Sequence, residues 1–123
     1  MSNKNIETIA PLSSVQEGLL YETICAPESG IHIEQSMYTL TGPLEVAALR
    51  QAWQWAMQRH AILRTGFVWK QQNNPLQITL HHAPLSFEVQ DWRKLSSEQQ
   101  RAQAEDYLRQ ERTRGFDLVH PPL

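Results

Sequence analysis

The chain has 123 residues, of which 41% are hydrophobic and 20% charged, so it has the size and apolar content of one globular domain or part of one. Its net charge of −2 gives no electrostatic indication of binding to nucleic acids or to anionic membranes. A single cysteine, Cys25, excludes an internal disulfide, and no apolar run approaches the roughly 20 residues of a membrane span. A cytoplasmic protein is therefore expected.

Apolar periodicity along the chain predicts a succession of strands and helices. In chain order these are a strand over residues 6–12, a helix over 14–24, a strand over 31–40, a helix over 45–62, a hairpin of strands over 65–70 and 76–81, a strand over 85–90 and a helix over 96–112. Ser13 and Ser14 offer caps for the first helix, Ser96 and Gln99 form a capping box for the last, and Gly115 ends it. The expected fold class is α/β, a mixed sheet with helices packed on it.

The residue types of catalytic and metal sites do not come together in this sequence. His81 and His82 are adjacent on a predicted strand, so their side chains should point to opposite faces and cannot ligate one ion together. Cys25 lies at a predicted helix end with no base nearby in sequence, and Ser13 and Ser14 are better explained as caps. We therefore expect no metal and no nucleophile in this chain.

Residues 59–67, Arg-His-Ala-Ile-Leu-Arg-Thr-Gly-Phe, place two arginines around His60 at a predicted helix-to-strand junction. An arginine held at such a junction can fix the fold through bidentate hydrogen bonds, and this role is predicted for Arg64. Arg59 is explained by the attraction of a cation to the end of a helix.

These residues resemble the second core motif of the condensation domains of nonribosomal peptide synthetases, RHExLRTxF. They depart from it only at Ala61, where the family usually has Glu. The family's first core motif, roughly SxxQxxLxxL, is similar to residues 14–21, with Ser14 and Gln16 as its polar positions. Other segments that follow the family in order and spacing are residues 44–53, 67–69, 90–92 and 114–118.

The resemblance implies a chloramphenicol acetyltransferase-like fold, in which two lobes meet at a tunnel. It implies that residues 1–123 are the N-terminal part of such a domain, cut before its HHxxxDG motif. In that family, carrier proteins deliver thioesters on phosphopantetheine arms, and the acceptor amine attacks the donor thioester in the biosynthesis of secondary metabolites. The second His of HHxxxDG is tied to catalysis. The segment that begins at His81 and His82 has neither the Asp nor the Gly, and it precedes the helix that starts at Ser96.

The resemblance therefore implies no catalytic residue and no cofactor of the chain's own. It places Ser14 and Gln16 on the tunnel side and makes Arg59, His60 and Arg64 structural. The isolated chain is expected to be inactive, because aminolysis needs both substrates oriented in a shared tunnel.

The expected partners are peptidyl carrier proteins and the remaining part of the domain, with no nucleic acid and no membrane. Self-association is expected through the unfinished edge of the lobe. Two alternatives stay open. One is a non-catalytic lobe that binds a carrier protein or a partner lobe, and the other is the start of an epimerization or dual-function domain.

Overall fold

The computed structural model describes residues 3–27, 29–70 and 74–123. Its regular elements are β1 (Ile6–Pro11), α1 (Ser14–Cys25), α2 (Val46–Arg59), β2 (Thr65–Val68), β3 (Leu76–Leu80) and α3 (Ser97–Arg114), with short 3₁₀ turns at Asn3–Asn5 and Ala61–Arg64. None of the described helices is both long and apolar enough to cross a bilayer.

The chain divides into two compact units. The sheet unit consists of the described residues of Met1–Glu17, Thr39–Phe87 and Phe116–Leu123, and the helical unit consists of those of Gly18–Tyr38 and Glu88–Gly115. The α/β class predicted from the sequence is confirmed by three helices and a three-stranded sheet within the described residues.

The sheet has the order β1-β3-β2, and both neighbours run antiparallel to the central strand β3. The predicted first strand and the predicted hairpin are confirmed, whereas residues 71–73 of the hairpin turn lie outside the described residues. Thr65 of β2 stands opposite Thr79 of β3, and their buried hydroxyl oxygens lie 2.9 Å apart in a hydrogen bond. The register of β1 against β3 shifts between Ile6 and Thr8.

The caps predicted for the last helix are also confirmed. Ser96 and Gln99 form a reciprocal capping box at the start of α3, and Gly115 ends that helix with a φ of 64°. The helix predicted over residues 45–62 is too long, because α2 ends at Arg59 and a 3₁₀ turn follows. The physical reason is that Arg64 donates side-chain hydrogen bonds to carbonyls in the last turn of α2, where further helical N–H groups would otherwise bind.

The strands predicted over residues 31–40 and 85–90 are wrong, since neither segment belongs to a strand. Alternating side chains make a segment suitable for a sheet, but a strand also needs a neighbour for its backbone groups. In the described sheet β1 and β2 pair with β3, and neither segment pairs with any of the three strands. In the first segment Met37 and Tyr38 are 70% and 83% exposed, so their side chains are not packed as those of a buried strand would be.

Few apolar side chains are buried in the described part of the chain. They are Leu12, Leu20, Met57 and Leu80. In α2, Trp53 remains half exposed, and Met57 is the residue of this helix that is buried.

Candidate functional site

Arg64 joins three parts of the sheet unit through its guanidinium group. It is 6% exposed and lies at the end of the 3₁₀ turn, directly before β2. Its Nε donates to the carbonyl oxygen of Met57 in α2 at 2.9 Å, and Nη1 donates both to Glu7 in β1 at 2.6 Å and to the carbonyl oxygen of Leu80 at the end of β3. A planar group with several fixed donors can serve three acceptors at once. We call Arg64 and these acceptors the anchor.

Glu7 supplies the negative charge of the anchor. The pKa of its carboxyl group lies below the ordinary value, chiefly because Arg64 donates a hydrogen bond to it. Partial burial opposes this shift, while the positive charge of Arg64 and, to a lesser extent, that of His81 reinforce it. Glu7 was not found by sequence reasoning, because it lies 57 residues before its partner and belongs to no recognised motif.

His81 and His82 follow the anchor in sequence and lie beside it. The strand predicted through residue 81 ends at Leu80, so neither histidine lies on it, and both line one cavity of about 230 Å³ with Arg64. The side-chain amide of Asn5 holds His82, accepting from its N–H at 3.0 Å and donating to its carbonyl oxygen at 2.9 Å. His81 Nδ1 lies 4.0 Å from the Glu7 carboxylate.

The described residues that line this cavity include no serine, threonine, cysteine, lysine or carboxylate that could serve as a nucleophile. Its polar side chains are glutamines, histidines and Arg64, and an arginine stays protonated at working pH and is a poor base. Within residues 3–27, 29–70 and 74–123, no three side chains of the metal-ligating types lie close enough to hold an ion.

Gln16 connects the start of α1 to the sheet. Its Oε1 accepts from the backbone N–H of Ser13 at 2.8 Å, and its own N–H donates to Ser13 Oγ at 3.3 Å, which makes a reciprocal cap. Gln16 Nε2 also donates to Oε1 of Gln77 in β3 at 3.3 Å, and Gln77 Nε2 donates to the carbonyl oxygen of Pro11 at 3.0 Å. The side chain is therefore half-buried and oriented by partners on two elements.

A family model described as "Condensation domain" matches residues 6–123. The chain belongs to the condensation domain family. The match spans both motifs and all the helices and strands described above, so the resemblance identified from the sequence is confirmed.

Among the curated relatives of this condensation-domain chain are two components of linear gramicidin synthase from Brevibacillus parabrevis. One is 39% identical over 119 residues, which are 97% of the chain and 2% of that protein, and the other is 36% identical over 121 residues, which are 98% and 2%. Surfactin synthase subunit 3 of Bacillus subtilis (strain 168) is 29% identical over 118 residues, which are 96% and 9%. The chain thus spans 2% to 9% of the length of these relatives.

Within the first condensation-domain motif, the structure distinguishes the two serines. The SxxQ spacing to Gln16 belongs to Ser13, which is the residue that caps α1. Ser14, which the resemblance aligns with the motif, is the exposed first residue of the helix. That Ser14 and Gln16 lie on the tunnel side of a complete domain stays a prediction.

Within the second condensation-domain motif, the residues differ in the same way. Arg59 is exposed in the last turn of α2, where its positive charge interacts favourably with the negative end of the helix dipole. His60 is also exposed, and its backbone N–H closes α2 by donating to the carbonyl oxygen of Ala56 at 2.9 Å. The side chain of Arg64, by contrast, is surrounded by its partners. Of the three residues predicted to be structural, Arg64 has the contacts that such a role requires.

Proposed function

We propose that this chain forms the N-terminal part of a condensation domain that joins aminoacyl or peptidyl groups carried as thioesters on peptidyl carrier proteins in the cytoplasm. The observation that carries this proposal is the family match over residues 6–123, in which both motifs occur in order. The names of the relatives, which are synthases of gramicidin and surfactin, agree with a role in peptide assembly.

In the proposed reaction the acceptor amine attacks the carbonyl carbon of the donor thioester. A C–N bond forms, the C–S bond breaks, and the donor phosphopantetheine arm leaves as a thiol after the amine loses its proton. The 123 residues contain no HHxxxDG sequence to which catalysis could be assigned. The chain's contribution is to form one wall of the substrate tunnel, with Arg64 fixing β1, α2 and the end of β3 relative to one another.

The test compares the chain alone with the chain inside a complete domain. The isolated chain, mixed with one carrier protein loaded as donor and one as acceptor, should give no dipeptidyl thioester by mass spectrometry. A complete condensation domain from the linear gramicidin synthase component that is 39% identical, in which these residues replace the matching segment, should give that product. Turnover by the isolated chain would contradict the proposed inactivity. A folded but inactive hybrid, beside an active parent domain, would contradict the proposed contribution.

A second candidate function is that of a non-catalytic lobe that binds a carrier protein or a partner lobe. The exposed apolar side chains of Met37 and Tyr38, on a segment that lacks a strand neighbour, favour this function. Light scattering and titration with a phosphopantetheine-bearing carrier protein would test it. Self-association or saturable binding, reduced by Met37→Ser with Tyr38→Ser, is the expected result, and a monomer that binds no carrier protein would argue against it.

A further inference from the structure

The helical unit contains a cavity of about 240 Å³ that is separate in sequence from both motifs. Its lining residues are Glu88, Gln90, Trp92 and Tyr107. The first three lie on the segment before α3, and Tyr107 lies on α3 itself. Gln100 in the first turns of α3 donates through Nε2 to the carbonyl oxygen of Trp92 at 3.0 Å, so the aromatic wall is fixed to the helix.

The polar groups of the cavity form a hydrogen-bonded chain that ends on a carboxylate. Trp92 Nε1 donates to Gln90 Oε1 at 3.1 Å, and Gln90 Nε2 donates to Glu88 Oε1 at 2.5 Å. The hydroxyl of Tyr107 lies 3.5 Å from Glu88 Oε2, at the outer limit of a hydrogen bond. The single indole N–H of Trp92 is thus already used in its hydrogen bond to Gln90. The Glu88 carboxylate, which has about four acceptor positions, can still accept from further donors.

Glu88 is the carboxylate that lines the cavity, and it forms no ion pair among the described residues. Glu111 is paired with Arg114 at 2.5 Å, whereas no lysine, arginine or histidine in the described ranges lies within ion-pair distance of Glu88. The pKa of Tyr107 is raised, first by burial and then by the negative charges of Glu111 and Glu88, with Arg114 opposing. Its hydroxyl therefore stays protonated near neutral pH, and the charge of the site is that of Glu88.

We propose that this cavity binds an alkylammonium group. The ammonium N–H groups would donate to the Glu88 carboxylate, and the adjoining methylene groups would pack against the rings of Trp92 and Tyr107. Spare carboxylate lone pairs and aromatic faces attract organic cations, whereas the negative charge of Glu88 would repel an anion. The cavity is smaller than the roughly 300–1,000 Å³ of sites for drug-sized ligands, so it suits a small amine or one lysine side chain. The residues involved are distinct from the anchor, and the proposal does not depend on amide formation.

The experiment is a titration of the ¹⁵N-labelled chain with propylammonium chloride at constant chloride concentration, followed at the indole N–H of Trp92 and the side-chain amide of Gln90. We expect saturable shifts at both groups that the neutral analogue 1-propanol does not reproduce. Glu88→Gln, which keeps a hydrogen-bonding side chain and removes the charge, should weaken binding about tenfold, since a charge-assisted hydrogen bond has that order of magnitude. Glu105→Gln, at an exposed position of α3, should leave binding unchanged.

Shifts that do not saturate, equal binding of 1-propanol, or equal affinity of Glu88→Gln and the unchanged chain would each overturn the proposal. If Glu88→Gln loses the dispersed spectrum of a folded protein, the comparison of the two probes on the unchanged chain still decides the matter. A further titration with Nα-acetyl-lysine N-methylamide distinguishes the source of the ligand. Binding tighter than that of propylammonium would indicate a lysine of a partner protein, and equal or weaker binding would indicate a free amine.

Discussion

Replacement of Arg64 by Lys should destabilise the chain much more than the same replacement at Arg59, although both arginines belong to one motif. The guanidinium of Arg64 reaches the carbonyl oxygens of Met57 and Leu80 from a position that is 6% exposed. A lysine ammonium is a single point at the end of a flexible stem and cannot reach both. At about 1.5–3 kcal/mol for a hydrogen bond from a charged group, the loss of one of the two bonds should destabilise the chain by about 1.5–3 kcal/mol.

The assay is urea unfolding followed by tryptophan fluorescence and, separately, by far-ultraviolet circular dichroism. Arg64→Lys should lower the midpoint without changing the slope, because a change in slope would report altered compactness instead of lost stability. Arg59→Lys, on the exposed end of α2, should stay within about 0.5 kcal/mol of the original chain. Equal midpoints for the two variants would refute the reasoning, since they would mean that the forked reach of Arg64 contributes nothing.

Three further predictions concern the sheet unit and the first helix. The pKa of Glu7 in the folded chain lies below the ordinary value of 4.5, so the carboxylate stabilises the fold above pH 4.5 and loses this effect as the pH falls through the folded pKa. Glu7→Gln should therefore make the fall of the urea midpoint below pH 4.5 less steep. Ser13→Ala should lower the free energy of unfolding by about 1 kcal/mol because it removes the cap, and Ser14→Ala should lower it by less than about 0.5 kcal/mol. Thermal unfolding measures both, and equal losses would contradict the assignment of the cap to Ser13. Gly66→Ala would bring a Cβ atom to 2.6 Å from the carbonyl oxygen of Val119 and should lower the free energy of unfolding by about 1–3 kcal/mol. Gly18→Ala, where a Cβ atom would meet nothing within 4 Å beyond its own helix and chain neighbours, should stabilise α1 by up to about 1 kcal/mol in the same measurement.

The helix starts could be predicted because the groups that make them are close in sequence. Ser96 and Gln99 cap α3 from within its own first turn, and Gly115 ends it through its own backbone conformation. The strands were harder, because alternation shows that a segment can enter a sheet but does not identify its neighbour. Residues 31–40 have the pattern, yet they pair with none of the three strands of the described sheet, so the pattern alone gave a wrong prediction.

The candidate site shows the same division between local and distant information. Arg64 was predicted to be an anchor because an arginine at a helix-to-strand junction can fix the fold through bidentate hydrogen bonds. Its acceptors were not predicted, since Glu7 lies 57 residues before it and the carbonyl oxygen of Leu80 lies 16 residues after it. A backbone carbonyl has no sequence signature, and a lone glutamate on a strand is usually a solvated charge.

The one departure from the second motif, Ala61 in place of the usual Glu, does not remove any contact of the anchor. Ala61 is exposed at the first position of the 3₁₀ turn, and it takes part in the structure through its carbonyl oxygen, which accepts from Thr65 Oγ1 at 2.9 Å. Any residue type supplies that oxygen. The carboxylate that neutralises the buried Arg64 comes instead from Glu7 on β1. In this chain a carboxylate at position 61 is therefore not needed to compensate the arginine, and the departure leaves the anchor complete.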